Sequence, residues 1–122
     1  MIEFAKHEPR INNERVFILG RSLGGAVATH TGAVIAEDES TIVKGIILEN
    51  TFTSVSKIAD NLFGFLRLIP SIKQKMLRLQ WDSEAEISKV KAPILFVSGE
   101  VDQLCPAKMT QELRSAATKA KF

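Results

Sequence analysis

The chain has 122 residues, enough for one domain or part of one, and its 45% hydrophobic and 25% charged residues are ordinary globular composition. A formal charge of +2 is too small to argue for a nucleic-acid partner, and a single cysteine, Cys105, excludes an internal disulfide framework and any multi-cysteine metal site. The same cysteine usage suits a reducing, intracellular compartment; charged residues interrupt every apolar run before membrane-spanning length, and Glu3, Lys6 and His7 break what would be the apolar core of a signal peptide.

In chain order, Met1 to Lys6 reads as the last turn of a helix, with Ile2, Phe4 and Ala5 apolar and no cap ahead of them. His7 to Arg15, with Pro9 and Asn12-Asn13, is a loop. Val16-Phe17-Ile18-Leu19 is an apolar run without alternation, which predicts a strand buried on both faces of a parallel sheet. Leu23 to about Ala36 follows as a helix whose many small residues suit close packing on that sheet. Glu37 to Ser40 is a solvated loop, and Ile42 to Leu48 a second strand.

Val55 to about Leu79 is the least regular stretch: Ile58, Leu62, Phe63, Phe65, Leu66, Leu68 and Ile69 are dense and apolar up to Pro70, with Lys73, Lys75 and Arg78 beyond. Two readings stand: a lid-like insertion at about 55–80 that lines an acyl pocket or rests on a membrane surface, or a helix covering the sheet. Trp81 to Ile87 is a short helical segment and Ile94 to Ser98 the third strand. Pro106 stands at or near the start of a last helix, from Ala107 to about Lys119. Alternation of strand and helix predicts right-handed crossovers and an α/β fold with three parallel strands flanked by helices.

Between the first strand and its helix lies Gly20-Arg21-Ser22-Leu23-Gly24-Gly25. It matches G-x-S-x-G, the turn that lifts a serine hydroxyl above the sheet at a helix N-terminus. The turn brings the residues two before and two after the serine together, so side chains at Gly20 and Gly24 are expected to collide. The Leu23 N–H, free at the helix start, is placed to donate to an oxyanion formed when Ser22 attacks a carbonyl. A dinucleotide turn would need glycine where Ser22 stands, and no Walker loop occurs. No cofactor or metal ion is expected.

Asp102 lies past the end of the third strand, at the same sheet edge as Ser22. An acid there would orient and charge-stabilise a histidine, in the chain order serine, acid, histidine; the competing reading is a turn aspartate bonded to its own backbone. Glu49, at the end of the second strand, is the alternative acid, with a surface carboxylate paired to Arg21 as its competing reading.

Three separated blocks, Phe17 to Ala28, Glu49 to Phe52 and Ser98 to Pro106, closely resemble the family of α/β-hydrolase domain-containing protein 13 and the bud-emergence serine hydrolases. The resemblance implies a serine hydrolase acting on an ester or thioester of a small-molecule or acylated substrate, with Ser22 as nucleophile and Asp102 as acid, and a membrane anchor ahead of the hydrolase domain that nothing here matches. One departure is large: no histidine follows Asp102. His30 lies eight residues beyond Ser22, roughly 12 Å down the helix axis, and His7 precedes a strand of about four residues, roughly 13 Å away.

The second oxyanion donor of such sites comes from a loop after an earlier strand. The expectation is therefore residues 1–122 as the central part of one α/β-hydrolase domain, without its N-terminal strands and C-terminal histidine segment, and inactive as a fragment. The alternative is a catalytically dead fragment or a binding module that keeps the pocket.

Overall fold

The structure is a computed structural model that describes residues 1–58 and 81–120. Its centre is a parallel sheet in the order β1-β2-β3, from Val16–Arg21, Val43–Glu49 and Ile94–Val97. Helix α1 is Ile2–His7, α2 is Leu23–Val34 and runs into a 3-10 turn at Ile35–Glu37, α3 is Ser83–Ile87 and α4 is Ala107–Ala116. Residues 55–58 are helical, with Val55 and Ile58 buried. The expected lid-like insertion otherwise falls on residues 59–80, outside the described residues.

The elements start and stop where their chemistry dictates. Asp82 caps α3 by accepting the Ala85 N–H at 3.0 Å, and Pro106, unable to donate a backbone hydrogen bond, stands at the N-cap position of α4. Register pairs Ile18 with Ile46 and Ile46 with Ile94, so these residues share one face of the sheet. That face carries the core: Ile46, Leu48 and Ile94 pack with Ala28 of α2, Ile87 of α3 and Leu113 of α4, joined by Val90 and Ala117. At about 25 cal/mol per Å² of apolar surface removed from water, each such aliphatic side chain contributes roughly 1.5–3 kcal/mol. Gly32 lets α2 sit close, since a Cβ there would overlap Ile46 Cδ1.

The opposite face differs from the expectation of a strand buried on both sides. Phe17 is 59% exposed, Leu19 65%, Leu95 58% and Val97 43%. Alternate residues of β1 and β3 are therefore open, and the described helices that pack against the sheet share the Ile46 face. Among the described residues no helix is long and apolar enough to cross a membrane.

Candidate active site

The parallel strands end together, β2 at Glu49, and the segments leaving their C-terminal ends hold Ser22, Asn50, Thr51 and Asp102. Ser22 has φ 51° and ψ −120°, a backbone conformation rare for a residue with a Cβ. It persists because its backbone is held at both ends. The Ser22 N–H donates to the Glu49 carbonyl at 3.0 Å, and the Ser22 carbonyl accepts from Gly25 N–H and Thr51 Oγ1, each at 2.9 Å. Although Ser22 occupies the N-cap position of α2, its hydroxyl makes no capping bond. The Leu23 N–H follows in the first turn, without a hydrogen-bond partner among the described residues.

The two motif glycines differ in their reasons. A Cβ on Gly20 would overlap the Gly24 carbonyl and Ala28 Cβ, as expected of this turn. A Cβ on Gly24 would meet nothing within 4 Å, so the predicted collision at that position does not occur. The turn is asymmetric: Gly20 is buried at the end of β1 under the start of α2, while Gly24 faces outward. Gly25 is a third tight position, where a Cβ would overlap the Thr51 side chain.

Asp102 is half-buried, and its Oδ1 accepts two backbone N–H groups, from Leu104 and Cys105, at 2.9 Å each. The turn-aspartate geometry is thus present, and it spends one carboxylate oxygen, leaving Oδ2 for another donor. Glu49 Oε1 lies 3.6 Å from Arg21 Nε, with both side chains at the surface. Both acids thus lie at the C-terminal edge of the sheet: Asp102 with its carboxylate in a hydrogen-bonded turn, Glu49 with its backbone on Ser22 and its carboxylate toward Arg21.

Cys105 links the two halves. Its thiol is buried, 1% exposed, with the Asp102 carboxylate and the Ser22 hydroxyl both near enough to act on its titration. Burial, and next the Asp102 carboxylate, push the thiol pKa up to about 11, while the Ser22 hydroxyl acts weakly the other way. It is a neutral thiol, unsuited to be a nucleophile itself. Around it Ala26, Phe52, Val55, Ile58 and Met109 form an apolar floor with Trp81 against it.

Neither histidine joins this group. His30 Nδ1 is 3.4 Å from Glu86 Oε2, at the edge of a cavity of about 250 Å³ shared with Trp81 and Ser83. The His7 ring lies 2.8 Å from the Glu3 carbonyl on α1. Among the described residues no cluster of side chains could hold a metal ion. Asn50, Thr51 and Cys105 are the parts that reading the sequence missed as site components. Their signal was slight: an asparagine at a strand end, where a left-handed backbone is tolerated, and a threonine beside it.

Comparison with known proteins bears on the fold that carries these residues. The chain is 38% identical over 104 residues to an α/β hydrolase domain-containing protein, WAV2, of Arabidopsis thaliana, covering 79% of this chain and 32% of that protein. It is 35% identical over 106 residues to protein bem46 of Schizosaccharomyces pombe, covering 86% of this chain and 33% of that protein. Among solved structures, a lipase/esterase from Lactobacillus plantarum superposes with a TM-score of 0.69 at 14% identity, covering 98% of this chain and 52% of that one. The chain belongs among the α/β hydrolases. Acetyl xylan esterase 1 from Thermoanaerobacterium superposes on 98% of this α/β-hydrolase chain and 41% of its own length, with a TM-score of 0.66 and 18% identity; at such identity these structures speak for the fold alone. The three parallel strands with flanking helices are thus a partial α/β-hydrolase fold. No family model matches the chain, which spans about a third of the length of the curated relatives it matches.

Proposed function

We propose that this chain carries the nucleophile and the acid of a serine hydrolase that cleaves an ester or thioester. The observation that carries the reading is the Ser22 backbone, fixed at φ 51° with its hydroxyl free of any capping bond. Such strain is costly, of order 1–3 kcal/mol, and persists where surrounding structure enforces it. Here it turns the hydroxyl away from the helix it would otherwise cap.

In the reaction, a histidine takes the Ser22 proton as Oγ attacks the acyl carbonyl. The oxyanion accepts from the Leu23 N–H, and the leaving alkoxide or thiolate takes the proton back from the imidazolium. Water then repeats the sequence on the acyl-serine. Asp102 Oδ2 holds and charge-stabilises the imidazole. His7 and His30 are engaged elsewhere, so the 122 residues alone leave Ser22 close to an ordinary serine.

A fluorophosphonate probe tests the reading on this chain and on a longer one that supplies a histidine after Asp102. Labelling of the longer chain, abolished by Ser22→Ala, is expected, with background labelling of the 122 residues. Labelling that survives Ser22→Ala, or none in either chain, overturns it; the second outcome would favour a binding module that keeps the hydrolase pocket.

A further inference from the structure

We propose that Asn50 is the positioning residue for Asp102, the side chain through which β2 holds the acid-bearing turn in register with the nucleophile. The word acid rests on the function proposed above; the mechanical coupling does not. Asn50 is the other described non-glycine residue with positive φ, at 43°. Asparagine is among the few residues that enter this region at modest cost. The kink has a product. The Asn50 N–H still reaches the Val97 carbonyl at 2.9 Å, extending the β2–β3 pairing by one residue, while Oδ1 swings across to accept the Gly99 N–H at 2.8 Å.

A turn asparagine ordinarily bonds its own backbone two residues on. This one bonds a residue 49 positions away. From Gly99 the chain of bonds continues to the acid: the Asp102 N–H donates to the Gly99 carbonyl at 3.3 Å, and Asp102 Oδ1 accepts from Leu104 and Cys105. A Cβ on Gly99 would stand 3.6 Å from Asn50 Nδ2 and 3.8 Å from Asp102 Cβ, so the amide and the acid flank the same side of Gly99 in ordinary contact. Steric crowding does not fix this turn; the Asn50 bond does.

The residues on either side of Asn50 hold the nucleophile, Glu49 through its carbonyl and Thr51 through its hydroxyl. Three consecutive residues therefore set the separation of Ser22 and Asp102, with Asn50 serving the acid.

Amide hydrogen exchange on the 122-residue chain tests this. Asn50→Gly keeps the left-handed backbone and deletes the acceptor; Asn50→Asp keeps both. In Asn50→Gly, exchange at Gly99, Leu104 and Cys105 is expected to quicken roughly tenfold, the worth of one hydrogen bond, while the Gly25 amide, bonded to Ser22, stays at its native rate. Asn50→Asp should restore native exchange at all three. Asn50→Ala, should the glycine variant not fold, must show the same local pattern. Unchanged exchange at Leu104 and Cys105, or an even rise across β1, β2 and β3, overturns the proposal. Failure of the hydrolase reading would be seen separately, as a Ser22 that never labels in the longer, histidine-bearing chain although the exchange coupling is intact.

Discussion

A Cβ on Gly20 would run into the Gly24 carbonyl, whereas a Cβ on Gly24 would find open space. Gly20→Ala must therefore push backbone against backbone at the start of α2, and overpacking of this kind costs about 1–3 kcal/mol. Gly24→Ala removes only glycine's chain entropy from a helical position and should be neutral or stabilising by about 0.5–1 kcal/mol. Denaturant unfolding of the two variants decides it, and equal destabilisation would contradict the asymmetry.

Thr51 is the second support of the elbow, 1% exposed and bonded to the Ser22 carbonyl. Thr51→Val keeps the shape and deletes the donor. Because the carbonyl retains the Gly25 N–H, the loss should stay near one net hydrogen bond, about 1 kcal/mol. A midpoint identical to that of the parent chain would mean that Thr51 acts through packing against Gly25 alone.

Which features could be read in advance follows from how far their causes extend along the chain. The strand at Val16, the elbow and the short helix that ends at Ile87 rest on neighbouring residues, and periodicity with turn chemistry exposes them. The bare sheet face does not: Phe17 and Leu19 are as apolar as Ile18, and only the packing of α2, α3 and α4 on one side tells them apart. The Asn50 bond to Gly99 spans 49 positions, so no local pattern announces it. Gly24 erred the other way, a motif glycine read as a steric necessity in a place with room to spare.

Asp102 has a structural duty besides its proposed chemical one, and two substitutions separate them. Asp102→Ala strands the Leu104 and Cys105 N–H groups and should cost about 1–3 kcal/mol. Asp102→Asn retains an oxygen for both, so melting should be close to native, while fluorophosphonate labelling of a histidine-bearing chain falls by orders of magnitude because the imidazole is held in the wrong tautomer. Glu49→Gln, which loses only a surface pairing with Arg21, should leave labelling intact. The reverse pattern would move the acid to Glu49.

The Cys105 thiol makes a prediction about alkaline pH whose sign is fixed by its environment. Its pKa is raised from 9.0 to about 11 in the folded chain, chiefly by burial and next by Asp102. Below pH 9 the thiol is protonated in both folded and unfolded chains and favours neither differently. Between 9 and about 11 the unfolded chain releases the proton while the folded chain keeps it, so stability must fall with rising pH, and the loss is complete above the folded value. Unfolding free energies of the parent chain and Cys105→Ala, measured across this window, should run parallel below pH 9 and converge above it, since the alanine variant lacks the titrating group. Two further variants sharpen the test. Asp102→Asn removes a neighbouring negative charge and should close the window from above, and Ser22→Ala removes the hydroxyl that favours the thiolate and should widen it. Parallel curves throughout would show that the thiol titrates as it would in water, and the raised pKa assigned to its burial and to Asp102 would then have to be abandoned.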